Sequence, residues 1–481
     1  MVHTPGVKIS TSTLAGPTNR GTPTARAFLA GVTERGPLTP TSVRSIVAFN
    51  TWFGGLQSYS GHLYRAAETY FAEGGTELIV CRAVGTTPTL ATLSLVDRTA
   101  VTPLPTLKID AANPGAWATG LTVAITAGRV TDTVTLAVFY GGVRVGYYRD
   151  KASVADLVAA TVGDPYVTLT DLGAASVGVT RLPAIAAAAP LVGGADDRAT
   201  VTAASVVAAL NRAGLTYGGG AVATPGYNAT AVGDLLIAHC AANRRIAILA
   251  GDVDSEPSDL IDMATDLDTS GQYAGLFGPW LTIPDGSSTA VVSPEGYVLG
   301  VRARILNAEG FWQVPAGTRA AARFARGPVT TYDAVAIDAL ADGKVCGITV
   351  IASDTVLYGW RSLSTNAEQF LLLNAQDVMN TLTALVEEVL QPFVFDTIDA
   401  TGQPLGRVEG SLVGVLQPIA DAGGFIGKFD DTGKEINPAF KVSVAAATDG
   451  MSILCTVTVR LSGIAETITV SLVKAAYNAT I

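Results

Sequence analysis

From Met451 to Leu461 the sequence alternates with a period of two. Ile453, Cys455, Val457, Val459 and Leu461 fall on one side, and Ser452, Thr456, Thr458 and Arg460 mostly on the other. That pattern predicts a half-buried strand. A bend at Ser462-Gly463 separates it from a second alternating run that opens at Glu466, where Ile468, Val470 and Leu472 interleave with Thr467, Thr469 and Ser471. A regular strand with an open edge binds other chains, so pairing with neighbouring molecules is the expectation for this stretch.

The rest of the chain divides by texture. Residues 1–25 are rich in Thr, Pro, Ser and Gly with few apolar positions, and read as an extended arm. In 26–87 a buried-type strand (27–32) is followed by the turn Glu34-Arg35-Gly36-Pro37. Leu63, Ala66, Ala67, Tyr70 and Phe71 then keep helical spacing up to Gly74-Gly75, and Leu78 to Cys81 reads as a strand. Strand, helix, strand is the start of an α/β core. Residues 88–195 read as an inserted β-rich module, with strands at 123–125, 134–140 and 143–148, a hairpin turn at Gly141-Gly142, and Pro183 and Pro190 bracketing an Ala-rich return.

The α/β texture resumes over 196–360. Helices are predicted at 200–210, 231–243 and 258–267, the last capped by Ser258, and extended segments at 245–250, 273–283, 345–351 and 356–360. Residues 361–463 form a C-terminal α+β unit with helices at 366–390 and 407–422 and strands at 439–445 and 451–461. Residues 464–481 are a C-terminal arm strand. The expected fold is therefore multidomain, α/β and α+β, with a core built from N- and C-terminal parts, an inserted β-rich module and extended terminal arms.

Composition sharpens this. The 481 residues are 48% hydrophobic and only 15% charged, with a mean hydropathy of +0.37. No apolar run is long enough to span a bilayer, so the dry composition points to surface hidden in a large assembly. A net charge of −10 argues against direct nucleic-acid binding, which needs a basic field. Nothing at the N-terminus has signal-peptide character. Cys81, Cys240, Cys346 and Cys455 lie far apart in apolar runs and read as reduced core residues of a cytoplasmically made protein.

Candidate chemistry is sparse. The sequence has no G-x-S-x-G elbow, no phosphate-binding loop and no H-E-x-x-H helix. His239 stands beside Cys240 on a predicted helix, where adjacent side chains do not face each other, and reads as structural. Gly218 to Ala223 has a G-x-G-x-x-A spacing but runs into Pro225-Gly226 instead of a helix. Asp252 to Glu256 resembles the start of a calcium loop, with Pro257 where glycine is needed and Met263 where the bidentate Glu belongs. Phe311-Trp312 reads as a packing anchor. No catalytic, cofactor or metal residue is expected. Two other classes stay open: an α/β hydrolase using Asp252, His239 and a distant serine, and a non-contractile capsid or surface-layer protein.

The order of several short motifs resembles the contractile tail sheath proteins of bacteriophages and related injection systems. They are Thr4-Pro5-Gly6-Val7, Phe28 to Val32 with Thr33-Glu34-Arg35-Gly36-Pro37, Phe71 with Gly74-Gly75, Ala112 to Trp117 and Leu191 to Gly194. The spacing continues through Phe277-Gly278-Pro279-Trp280-Leu281, Ser293 to Gly296 and Phe311 to Gly317, and ends with Phe393 to Asp396 and Ala465-Glu466-Thr467-Ile468.

The resemblance implies a non-enzymatic subunit that stacks as hexameric rings into a helical sheath around a tail tube protein, without cofactor, and contracts. Baseplate and tail terminator proteins would be further partners, with neither direct nucleic-acid contact nor membrane insertion. The implied location is a virion tail or injection particle assembled in the bacterial host cytoplasm. By the same resemblance Pro5, Gly6, Val7 and Ile9, and Glu466, Thr467, Ile468, Thr469, Val470, Ser471, Leu472 and Val473, would add strands to sheets of neighbouring subunits, while the inserted module points outwards.

Overall fold

The computed structural model describes residues 25–267, 270–395, 403–433, 435–448 and 452–466. Its centre is an eight-stranded sheet in the order Asp354–Leu357, Val345–Ile351, Ala274–Gly278, Arg245–Ala250, Gly220–Ala223, Ala27–Gly31, Leu78–Arg82 and Thr41–Val43. The six inner strands are parallel and the two outermost antiparallel. Inner strands such as AFLAG, LIVCR and RIAILA are buried throughout, as a sheet covered on both faces requires. Alternate side chains serve two cores. Ala27, Leu29, Leu78 and Val80 face one apolar cluster, and Phe28, Ala30, Ile79 and Cys81 face the other.

Helices Ile46–Phe53, Gly61–Ala72 and Glu295–Glu309 cover the first face. Helices Ala203–Asn211, Ala229–Asn243, Pro257–Asp266 and Ala334–Asp342 cover the second. The Glu295–Glu309 helix is buried almost all round. Gly296 and Gly300 let it approach Gly61–Ala72: a Cβ on Gly296 would lie 2.6 Å from the Ala66 carbonyl oxygen. Two polar clamps fix this layer. Glu73 accepts from three successive backbone N–H groups, those of Arg323, Phe324 and Ala325. The Arg302 guanidinium pairs with Asp377 of the Leu373–Leu390 helix at 2.7–2.9 Å.

Between Leu78–Arg82 and Ala203–Asn211 the chain builds two further sheets. One orders Ala186–Pro190, Leu121–Ala127, Val134–Tyr140 and Val143–Lys151; the other orders Thr92–Val96, Pro105–Ala111 and Val167–Asp171. They share an apolar cluster of their own that includes Trp117, Ile125, Leu136 and Leu169. The neck is closed by antiparallel bridges Thr89 to Ala195 and Thr92 to Val192. Arg35, in the turn after the first core strand, reaches across to this unit. Its guanidinium lies 4.2, 5.5 and 5.8 Å from the ring centres of Tyr166, Tyr140 and Trp117, within cation–π range. Glu34 accepts from the Tyr140 hydroxyl, and Arg82 donates to the carbonyls of Gly36 and Pro114.

Several expectations change. The Pro257–Asp266 helix is capped by Glu256, not Ser258, because Pro257 fits the first helical position and Glu256 and Asp259 bond each other's backbone reciprocally. The 273–283 segment splits between the main sheet and the three-stranded sheet of Ser288–Val292, Leu281–Asp285 and Gly327–Pro328. The 366–390 helix divides into Ala367–Phe370 and Leu373–Leu390. Leu372 is extended there and bridges Arg361, with Ser362 N–H bonded to the Leu371 carbonyl and Leu373 N–H to that of Trp360. The next helix is Gln403–Asp421, earlier at its start than the apolar stripe indicated. Cys81, Cys240 and Cys346 are buried, but Cys455 is only half-buried because its hairpin covers the core on one face alone. Among the described residues no helix is long and apolar enough to cross a membrane.

Candidate assembly surfaces

The C-terminal strand Ile453–Val459 pairs antiparallel with Phe440–Ala446, in the register Phe440 to Val459, Val442 to Val457, Val444 to Cys455 and Ala446 to Ile453. Period-two alternation places Phe440, Val442, Val457 and Val459 against an apolar cluster formed with Val378 and Leu382 of one helix and Leu416 and Ile419 of the other. Lys441, Ser443, Leu454, Thr456 and Thr458 are exposed. Among the described residues this ladder has two strands, so each strand carries an outer row of backbone groups outside it. Just beyond the hairpin, Ile426 N–H bonds the Arg460 carbonyl and Ser462 N–H that of Gly424, which ties the hairpin down at that end.

The strand found to pair with 453–459 is therefore the upstream one. The second alternating run, Thr467, Ile468, Thr469, Val470, Ser471, Leu472 and Val473, lies outside the described residues, as do Pro5, Gly6, Val7 and Ile9. Glu466 is the last described residue, and its carboxylate accepts from Arg361 Nη2 at 3.0 Å. Arg361 in turn donates to the Ala341 carbonyl at 2.9 Å. This contact places the exit of the chain beside the main-sheet strand Val345–Ile351, whose Cys346 Sγ accepts from the Arg361 N–H. No sequence signal pointed to Arg361, because a single arginine after a strand has no periodicity to stand out from.

The C-terminal part also carries exposed apolar side chains. Phe395 is fully exposed at 103%, and Val394, Ile426, Phe429, Ile436 and Leu454 are all exposed.

The catalytic alternatives find no support in the geometry. His239 is buried. Arg245 Nη1 lies 2.8 Å from its Nε2 and Asn211 Oδ1 2.7 Å from its Nδ1. Arginine only donates, so Nε2 accepts, the proton sits on Nδ1, and neither nitrogen is free to act as a base. Burial, reinforced by the Arg245 charge, holds the ring neutral with its pKa lowered to about 4. Asp252 accepts from the Asn228 side chain at 2.8 Å, and among the described residues no hydrogen bond connects it to His239. Gly218 has φ +82° and Gly220 enters a strand, not a helix. Phe311 is buried and packs edge-on against Trp312 at 5.1 Å. Among the described residues no group of three His, Cys, Asp or Glu side chains could hold a metal.

No family model matches the chain, and no curated protein matches it. Solved structures do. A sheath tail protein from Listeria innocua superposes with a TM-score of 0.60 at 13% identity, covering 93% of this chain and 96% of that one. A sheath tail protein from Desulfitobacterium hafniense gives 0.57 at 12%, covering 94% and 99%. The sheath of an extracellular contractile injection system, PVC, in its contracted state gives 0.56 at 12%, covering 99% and 98%. Identities this low speak to architecture, and the architecture is shared over nearly the whole length: the chain has the fold of the contractile tail sheath proteins.

Proposed function

We propose that this chain is the structural subunit of a contractile sheath, polymerising as stacked hexameric rings around a tail tube and contracting to drive that tube through a target envelope. The observation that carries the reading is the terminal hairpin, a two-stranded ladder seated on the C-terminal core with its outer edges unpaired among the described residues, in a fold that matches sheath structures over 93–99% of the chain. In a helical array each subunit meets its neighbours through head-to-tail interfaces. Strand 467–473 of one subunit, and the 5–9 segment of another, would extend a neighbour's hairpin by main-chain hydrogen bonds, with Ile468, Val470 and Leu472 setting the register. The inserted module, residues 88–195, would project outwards.

Contraction is then a fall from a metastable extended lattice into a tighter one. Interfaces are bistable and small differences per subunit add over many copies, so neither a nucleotide nor a catalytic residue has a task. Arms joined to stiff cores let rings rotate while remaining linked. Such a sheath would take a tube protein, a baseplate and a terminator as partners and would be assembled in the host cytoplasm.

Ending the chain after Glu466 tests the strand exchange. The shortened protein is expected to keep the circular dichroism and thermal midpoint of the full chain, because the described core lies before that point, and to form no sleeves by negative-stain microscopy. Normal sleeves from the shortened chain would refute the proposal.

A further inference from the structure

The unit built from the two smaller sheets shares no apolar cluster with the main sheet. Its buried residues, from Ala91 to Leu191, pack among themselves, and neither cluster of the main sheet contains any of them. The chain crosses between the two bodies twice, and the crossings are held together by the bond from Gly85 N–H to the Asp196 carbonyl and by the Thr89 to Ala195 bridge. Beyond this neck, three core side chains reach across the joint. Glu34 accepts from the Tyr140 hydroxyl, Arg82 donates to the Pro114 carbonyl at 2.8 Å, and Arg35 enters the cage of Trp117, Tyr140 and Tyr166. Where two bodies meet without a large apolar interface, relative motion is the default.

Arg35 is an odd residue for a permanent seam. It is only 4% exposed. Its Nη2 donates to the Asn50 carbonyl at 2.9 Å, while Nε and Nη1 have no hydrogen-bond partner among the described residues. The rest of its stabilisation comes from the three ring faces. Burying a guanidinium with donors unsatisfied costs free energy, a cost that an apolar side chain in the same cage would avoid. That cost vanishes when the two-sheet unit moves away, because water then solvates the freed guanidinium. The rings stay with their own unit, Trp117 inside its apolar cluster and Tyr140 and Tyr166 packed against it. Docked and undocked states are therefore closer in free energy than they would be across a buried apolar seam.

We infer that Arg35 is a releasable latch between the two bodies. Docked in the Trp117, Tyr140 and Tyr166 cage, it fixes the direction of the two-sheet unit on the core; withdrawn, it leaves that unit folded and free to swing about the neck. Through the Asn50 carbonyl the latch is also tied to the end of the Ile46–Phe53 helix, so the orientation of the unit is read directly by the first face of the main sheet. The latch is a property of the single subunit and stands or falls separately from the sheath proposal.

Energy transfer between dyes on single molecules of the full chain tests it. In a Cys455→Ser background, whose other cysteines are buried, dyes are attached through Val162→Cys in the two-sheet unit and Val335→Cys on the Ala334–Asp342 helix, both exposed positions. With Arg35 in place this pair is expected to give one narrow transfer distribution. Arg35→Ala is expected to shift and broaden it, while a pair within the core, Val47→Cys with Val335→Cys, keeps its distribution. Tyr166→Leu removes the closest ring from the other side of the joint. It should have the same effect, with little further change when Arg35→Ala is added, because both remove one interaction. Should Arg35→Ala fail to fold, Tyr166→Leu carries the same prediction. An unchanged 162–335 distribution in either folded variant, a distribution already broad with Arg35 present, or a change in the core pair overturns the latch.

Discussion

Glu73→Ala is expected to lower the folding free energy by about 3–5 kcal/mol, since each buried group left without a partner costs roughly 1–3 kcal/mol. The Glu73 side chain is fully buried at the end of the Gly61–Ala72 helix. Its carboxylate accepts from the N–H groups of Arg323, Phe324 and Ala325 at 2.9, 2.8 and 3.0 Å, and from Arg304 Nη1 at 3.4 Å. Alanine would orphan three successive backbone donors in a segment whose Ala325 and Ala320 belong to the first core cluster. Glutamine keeps one acceptor oxygen but turns an amide N–H₂ towards those donors, so it should recover only part of the loss. Denaturant midpoints read the effect. A suitable control is the exposed pair Arg319–Glu309, whose removal should change stability by less than about 1 kcal/mol. A Glu73→Ala loss as small as that of the control would mean that the clamp is not a main support of the first face.

Arg302→Met should cost a similar amount, about 3–5 kcal/mol, because breaking a buried ion pair leaves one charge uncompensated. Side-chain exposures of 1% for Arg302 and 5% for Asp377 put the pair among the least solvated charges in the chain. It joins the Glu295–Glu309 helix to Leu373–Leu390, and so ties the sheet's first face to the helix on which the terminal hairpin rests. Burial raises the Asp377 pKa and the Arg302 guanidinium opposes that rise. Without the guanidinium the folded-state pKa climbs further above the unfolded one. The folded state then binds the Asp377 proton more tightly, so the variant loses stability as pH rises through that window and regains it as pH falls. The expected signature is a deficit against the parent protein that shrinks on acidification. Arg302→Met with Asp377→Leu should restore most of the loss at neutral pH, as well-packed apolar replacements of buried pairs do. A single variant as stable as the parent at pH 7 would contradict this account.

These clamps explain where the sequence was readable and where it was not. Segments that bury one side announce themselves: 453–459 and 440–446 by alternation, and 61–72 by a helical stripe. Segments buried on all sides do not. The Glu295–Glu309 helix has no stripe because nearly every position faces protein, and it escaped detection although Ser293 to Gly296 stood out as a motif. Short strands such as Thr41–Val43 are paired through the sheet and carry too few residues to display a period. Strand pairing is also invisible to local pattern. Nothing in residues 451–461 says that their partner precedes them, a fact fixed by the Phe440 to Val459 register. Joints were hidden for another reason: Arg35 sits in a turn recognised from its Gly-Pro, yet its cage of Trp117, Tyr140 and Tyr166 comes from residues far along the chain.

The candidate surface was half legible. Low charge and high apolar content pointed to hidden area, and Phe395, Phe429 and Leu454 are among the exposed apolar side chains of the C-terminal part. The structural role of His239 was legible in outline, since adjacent His239 and Cys240 could not face each other, although the Arg245 contact that engages the imidazole could not be foreseen. Stiffness suits the proposed task. A subunit that rotates as a rigid body within a lattice needs its two sheet faces and its C-terminal helices locked together, and Glu73, Arg302 and Asp377 supply that locking.

Electron cryomicroscopy of the purified full chain tests the central claim most directly. The account predicts tubular sleeves built of six-membered rings, in which a strand from one subunit continues the Phe440–Ala446 and Ile453–Val459 hairpin of another. Discrete closed particles, flat sheets, or tubes whose hairpin edges stay unpaired would contradict it.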